Sequence, residues 1–251
     1  MNIPTSQTLA QSPSKDEFSE FSGQKQFSAQ SQWVLASNNK GKLAEFERLF
    51  AAANLDITIT PQGQLNIADA IEDGLSFVEN AIIKARHASR SSGLPAIADD
   101  SGLCVPVLGN APGIYSARYA GEHGHDAKNN AKLIADLQPI RKQNPNAPIK
   151  GMFVCVLALV RHADDPLPII AQGLWQGEIL DAPHGDGGFG YDPLFWLPQL
   201  EATAASLDSA HKNQISHRGQ AIRQLLQQLW GFGHPFIAFR KQFKANIRLS
   251  K

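Results

Sequence analysis

Trp33-Val34-Leu35-Ala36-Ser37-Asn38-Asn39-Lys40-Gly41-Lys42 reads as a short buried strand that runs into a polar loop. Directly after it, Leu43, Phe46, Leu49 and Phe50 fall at i, i+3, i+6 and i+7, the apolar stripe of an amphipathic helix. The loop therefore sits between a strand end and a helix N-terminus, where free backbone N–H groups and the helix dipole favour an anion. Gly41 permits close backbone approach and Lys42 adds a full charge. The Walker pattern G-x-x-x-x-G-K-[ST] is absent, and an ordinary Asn-rich strand-to-helix turn is the competing reading.

Outward from this stretch the pattern repeats. Ile57-Thr58-Ile59-Thr60 reads as a strand stopped by Pro61. Ser76 and Glu79 have capping-box spacing, and Phe77, Ala81, Ala85 and Ala88 line one face of a helix ending near Gly93. Ala96-Ile97-Ala98 is a short strand entering Asp99-Asp100-Ser101-Gly102, with an extended continuation expected over residues 103–108. Asp126 is expected to cap a helix through Leu137, followed by a polar connection over 139–148. Residues 152–161 and 169–179 read as two long strands of a hairpin across a proline-rich turn. Ser216 precedes a last helix with Ile222, Leu225, Leu226 and Leu229 on one face. Helices and strands alternate early and strands dominate the middle, which gives an α/β fold with a mixed sheet. No internal repeat is visible.

Composition narrows the classes. The 251 residues carry 23 Lys+Arg against 23 Asp+Glu, so the basic footprint expected of a binder of polymeric nucleic acid is absent. Two cysteines, Cys104 and Cys155, in apolar surroundings fit a reducing compartment rather than a disulfide framework. No run approaches the roughly 18–20 apolar residues of a membrane span, and the N-terminus lacks a secretory pattern, so no membrane partner and a cytoplasmic location are expected. Residues 1–31, rich in Ser and Gln, read as a disordered tail. Residues 32–231 read as the folded domain and 232–251 as a basic C-terminal tail.

Other stretches carry chemistry. Adjacent carboxylates at a strand end, Asp99 and Asp100, suit a hard divalent cation such as Mg²⁺ when phosphates supply more ligands. In extended backbone only one of the two can face a given site, so unequal roles are expected; an Asx turn is the competing reading. Glu72-Asp73-Gly74 can supply another carboxylate. Lys84, at the edge of its helix's apolar stripe, either snorkels to solvent or points into a cleft, and snorkelling is the expectation from position alone. Gly185-Asp186-Gly187-Gly188-Phe189-Gly190 matches G-x-G-x-x-G in form. Tyr191-Asp192-Pro193 follows where a helix should begin, so it reads instead as a loop presenting one aromatic for base stacking. His217 and Arg218 sit at a helix N-terminus, suited to a base carbonyl or a phosphate, with Lys212 just before. Glu122-His123-Gly124-His125-Asp126 has no helix-spaced ligand pair and reads as a loop.

Five of these stretches occur together and in one order: residues 37–42, Ala98-Asp99-Asp100-Ser101-Gly102-Leu103, Ala111-Pro112-Gly113-Ile114-Tyr115-Ser116-Ala117-Arg118-Tyr119, residues 187–193, and Ser216-His217-Arg218-Gly219. Over about residues 33–231 the chain resembles the Ham1/RdgB-type inosine triphosphate pyrophosphatases, most of all the bacterial dITP/XTP enzymes. The resemblance implies a two-lobed α/β fold, a long curved mixed β-sheet flanked by helices with a deep central cleft. It implies hydrolysis of ITP, dITP and XTP to monophosphate and pyrophosphate, Mg²⁺ dependence and a homodimer.

By motif, Ser37, Asn38, Asn39, Lys40, Gly41 and Lys42 would hold the triphosphate, with Lys84 on the phosphate side. Asp100 would be the catalytic carboxylate, and Glu72 with Asp100 would bind the metal. Ser101 would contact substrate, and Phe189, Gly190, Tyr191 and Asp192 would frame base and sugar. Lys212, His217 and Arg218 would complete base recognition, with backbone N–H groups near Phe189 and the Arg218 region as donors to the purine O6. The segment before the second helix is Ile71-Glu72-Asp73 where the family often has a carboxylate pair. Two other readings remain open at this level: a Maf-like pyrophosphatase acting on modified or pyrimidine nucleotides, and a nucleotide-binding module without turnover.

Overall fold

A computed structural model describes residues 31–52 and 57–231; the two terminal segments read as tails lie outside the described residues, apart from Ser31. β1 (Ser31–Leu35) leads through residues 36–39 into α1 (Lys40–Ala52), and β2 (Ile57–Pro61) follows. α2 (Phe77–Ser92), β3 (Ala96–Cys104), α3 (Asp126–Gln143), β4 (Lys150–Val160) and β5 (Ile169–Ile179) come next. β6 (Phe195–Leu197), β7 (Ala202–Thr203), α4 (Ser209–Ile215) and α5 (His217–Gly231) complete the order. The strands form one seven-stranded sheet in the order β2-β1-β3-β4-β5-β6-β7. β1 pairs in parallel with both β2 and β3, and every later pairing is antiparallel. The parallel pairs need crossover helices, which α1 and α2 provide, whereas β4 and β5 join as a hairpin.

Side-chain alternation sends the sheet's two faces to different partners. Ile97 of β3 and Cys155, Leu157 and Leu159 of β4 pack with Phe46 of α1 and with Ala221, Ile222 and Leu225 of α5. Ala96 and Ala98, with Val154, Val156, Ala158 and Val160, pack under Ala81, Ala85 and Ala88 of α2. Beyond them a third core joins Leu103, Phe153, Trp175, Ile179 and Phe195 to Leu133 and Leu137 of α3. β4 and β5 run through all of it, so one long hairpin carries two lobes and the cleft opens between them. At Gly173 of β5 the α5 backbone lies so close that a Cβ would collide with the His217 carbonyl and approach the Ala221 nitrogen to 2.8 Å.

The Ser76 cap forms as expected: its Oγ accepts from the Glu79 N–H at 3.2 Å and donates to Glu79 Oε2 at 2.8 Å. Leu43 and Phe46 pack against the first core; the side chains of Leu49 and Phe50 lie outside the described residues. Three expectations fail. The extended run stops at Cys104, and Pro106–Leu108 is a 3₁₀ turn closed by Gly109 at φ 64°. Asp126 lies inside the first turn of α3, and the residue before the helix is His125. α3 runs past Pro139 to Gln143, because Leu137 and Ile140 still have the third core to pack against. That packing offsets the one helical hydrogen bond that proline removes.

Candidate active site

One cavity of about 630 Å³ lies between the lobes, a volume in the range of small-molecule sites. Its walls hold Ser37, Asn38, Asn39 and Lys42 on one side, Glu72 and Lys84 beside them, and Asp99 and Ser101 on the floor. Phe189, Gly190, Tyr191, Asp192, Lys212, His217 and Arg218 face them. Segments far apart in the chain thus converge as the motif order implied. The Lys40 side chain lies outside the described residues.

The loop after β1 is held by its own polar groups. Ser37 Oγ accepts from the Asn39 N–H at 3.2 Å, and Asn39 Oδ1 accepts from the Lys42 N–H at 3.0 Å, capping α1. Asn38 donates to Asp69 Oδ1 at 3.1 Å, to which Gln62 also donates, and all three line the cavity. Neither Asp69 nor Gln62 has a sequence signal; each is found only by this long-range contact.

The adjacent acids of β3 point to opposite faces, as expected of extended backbone. Asp99 is buried against Lys42 Nζ at 2.9 Å and Arg218 at 3.4 Å, and Ser101 Oγ donates to it at 2.8 Å. Burial acts to raise its pKa, but Lys42, Arg218 and Lys84 overcome that and hold the carboxyl far below the usual range. Arg218 also pairs with Glu45 of α1, a residue the motifs do not mark. Burial works against the guanidinium, and Glu45 and Asp99 outweigh it, so Arg218 stays charged.

Asp100 faces α2. Lys84 Nζ lies 2.8 Å from Asp100 Oδ1 and 3.2 Å from Glu72 Oε1. Lys84 therefore points inward, and the snorkelling expected from position alone does not occur: two carboxylates compensate its desolvation. Burial acts to lower the Lys84 pKa, and Asp100, Asp99 and Glu72 reverse the direction and raise it. For Asp100, burial outweighs the Lys84 ammonium and leaves its pKa raised. Glu72 and Lys84 line the cavity, while Asp100 sits behind Lys84. Fully buried Asn80 accepts from the Gly74 N–H at 2.9 Å and donates to Asp100 Oδ2 at 3.4 Å, tying the Glu72 loop to β3.

Because one ammonium reaches both Glu72 and Asp100, their oxygens face a common point. That donor set, two hard carboxylates beside a phosphate-binding loop, fits Mg²⁺ with phosphate oxygens completing its shell. Among the described residues no group of three or more His, Cys, Asp or Glu forms a self-sufficient metal cage.

On the opposite wall, Asp192 is buried, accepts from the Phe189 N–H at 2.8 Å and pairs with Lys212 Nζ at 2.5 Å. Tyr191 Oη donates to the Ser116 carbonyl at 2.8 Å. Lys212 Nζ and the Arg218 guanidinium lie 5.2 and 5.7 Å from the centroid of the Phe189 ring, whose far edge reaches Gly41. The Phe189 and Gly190 N–H groups are engaged by Asp192 and Asp126, so neither is the free donor expected for a purine O6. Arg218 Nε and His217 Nδ1 are among the buried polar atoms without a partner, as is Asp99 Oδ1. His217 stacks on Phe153 at 4.8 Å, and burial first, then Arg218 and Lys212, push its pKa well below the ordinary value. Cys155 is buried, and burial pushes its thiol up to about 11.

A family model described as the Ham1 family matches residues 33–228. The dITP/XTP pyrophosphatase of Acinetobacter baumannii is 69% identical over 196 residues, covering 78% of this chain and 94% of the relative. A protein of the same name from Burkholderia pseudomallei is 57% identical over 204 residues, covering 80% of this chain and 94% of that one. The structure of a HAM1 protein from Coxiella burnetii superposes with a TM-score of 0.72 at 46% identity, over 80% of this chain and 99% of that chain.

Proposed function

The chain belongs to the Ham1 family, and from that premise we propose that it hydrolyses deaminated purine nucleoside triphosphates, dITP, ITP and XTP, to the monophosphate and pyrophosphate. It thereby clears deaminated purines from the nucleotide pool. The observation that carries this reading is the convergence of Lys42, Lys84, Lys212 and Arg218 with Glu72, Asp99 and Phe189 around one cavity. Four cations and a helix N-terminus suit a polyphosphate, and one aromatic beside them suits a base.

The roles follow from the contacts. The loop of Ser37, Asn39 and Lys42 at the start of α1 cradles the phosphates, and Asp99 fixes Lys42 and Arg218 from beneath. Glu72 and Asp100 would hold Mg²⁺, which when bound offsets charge on the phosphate oxygens. Lys84 keeps these two carboxylates together and approaches a phosphate oxygen once they are otherwise engaged. Asp100, which Lys84 and Asn80 fix in place, would also orient the attacking water at the α-phosphorus. Phosphoryl transfer needs little covalent help, so this positioning and charge placement is most of the catalysis.

Phe189 stacks the base. The Arg218 guanidinium, 5.7 Å from the centroid of that ring, is the cation beside the base, and a donor from this region to O6 would accept hypoxanthine and xanthine and oppose the amino group of adenine. A site whose buried donor is left unpaired can reject an analogue by ~10⁴ or more. The domain spans 32–231 and acts as a cytoplasmic homodimer, with no membrane or polymeric nucleic acid partner; among the described residues no helix is long and apolar enough to cross a membrane.

A panel of dITP, XTP, dATP, dGTP and dUTP, with and without Mg²⁺ and with pyrophosphate readout, tests this. Turnover of dITP and XTP that EDTA abolishes is the expected result. Preference for dUTP would favour a Maf-like enzyme, and stoichiometric binding without product would favour a nucleotide sensor.

A further inference from the structure

Two α3 side chains without a role in that reading meet at a single peptide. Asp126 Oδ2 accepts from the Gly190 N–H at 2.6 Å, and Asn130 Nδ2 donates to the Gly190 carbonyl at 3.0 Å. Four residues apart, they share one face of the helix and take both polar groups of the same residue. Asn130 Oδ1 is buried without a partner, so among the described residues the bond to Gly190 is the one hydrogen bond of that side chain. Between them Asn129 accepts from the Ala120 N–H at 2.8 Å and donates to the Ala117 carbonyl at 3.3 Å. The first turns of α3 therefore pin two walls of the cleft at once.

Gly190 is the turn residue next to Phe189 in the aromatic wall. Its φ of 63° lies in the left-handed region that glycine enters readily; Asp192 holds the Phe189 N–H on one side of it, and Asp126 and Asn130 hold Gly190 itself. Phe189 precedes it, and its ring crosses the cleft to Gly41. We propose that Asp126 and Asn130 are specificity-determining positioning residues: by clamping the Gly190 peptide they set the position of the Phe189 ring and so decide which purine the cleft accepts. The inference rests on the pyrophosphatase reading. Two hydrogen bonds to a surface turn add little to global stability, each on the order of 1 kcal/mol. A ring displaced by an ångström, in contrast, changes base binding and alignment.

The test compares the wild-type protein with Asp126→Ala, Asn130→Ala, Asn130→Ser and Asp126→Asn, which keeps an acceptor. Steady-state turnover of dITP and dGTP is measured alongside dITP affinity by calorimetry in EDTA. The expected result is a KM and Kd for dITP raised about five- to tenfold in both alanine variants, with a smaller change in kcat. The preference for dITP over dGTP falls by a similar factor, and Asp126→Asn lies close to wild type. Asn130→Ser keeps the reading available if Asn130→Ala does not fold. Unchanged KM, Kd and preference, or a loss of kcat alone, would overturn the clamp while leaving the pyrophosphatase intact. A wild-type protein that releases no pyrophosphate from dITP would instead overturn the functional reading, visible before any variant is compared.

Discussion

On one face of β3, Asp99 meets two cations fixed by separate helices, Lys42 of α1 and Arg218 of α5; on the other, Asp100 meets Lys84 and Asn80, both of α2. The two residues share a strand and a charge, yet their environments push their acidities in opposite directions. Lys42 and Arg218 keep Asp99 ionised, and in the proposed reading it holds those cations where phosphates would arrive. Asp100 shares one ammonium with Glu72, and burial pushes its pKa up. Two carboxylates with diverging acidities are how one site separates structural charge from working charge.

The largest break in this contrast should come from Asp99→Asn. Among the described residues Lys42 then has no carboxylate and Arg218 keeps Glu45 alone, so stability should fall by about 3–5 kcal/mol, read as a lower melting temperature. Asp100→Asn should behave differently, because Lys84 retains Glu72 at 3.2 Å. It should fold normally yet lose roughly 10²–10³ in turnover of dITP. A variant with wild-type activity would remove Asp100 from its role.

A smaller effect is expected on the Asp99 face alone. Gly173→Ala puts a methyl against the His217 carbonyl and must push α5 outward, at a cost of about 1–3 kcal/mol in denaturant unfolding. His217 supplies the smallest effect. Its unfolded pKa is near 6.5 and its folded value is well below, so the unfolded chain binds more protons between the two. The stability it contributes is complete above about pH 6.5 and is lost as pH falls toward the folded value, by at most about 1.4 kcal/mol per pH unit. His217→Gln should flatten that part of the profile, and an unchanged slope would show that His217 is not held neutral.

The strands, the α2 cap and the five motifs were legible because each is a local pattern: a run of apolar residues, a capping pair, a glycine turn. The groups that organise the motifs were not. Glu45 lies 173 residues from Arg218, Asp126 lies 64 from Gly190, and only the folded chain brings them together. Lys84 was misjudged from its helix alone because its partners come from β3 and from the loop before α2. Pro139 looked like a helix end because its cost is local, whereas the packing that overrides it is not. Of the donors expected for O6, the Phe189 and Gly190 N–H groups are engaged by Asp192 and Asp126 for the same reason, a pair of contacts that only the folded chain makes.

The most direct test of the whole account is hydrolysis of dITP in ¹⁸O-labelled water with Mg²⁺, followed by mass analysis of both products. Attack at the α-phosphorus, between the residue 37–42 loop and Asp100, puts the label in dIMP and leaves pyrophosphate unlabelled. Label in pyrophosphate, or release of dIDP and inorganic phosphate, would contradict it.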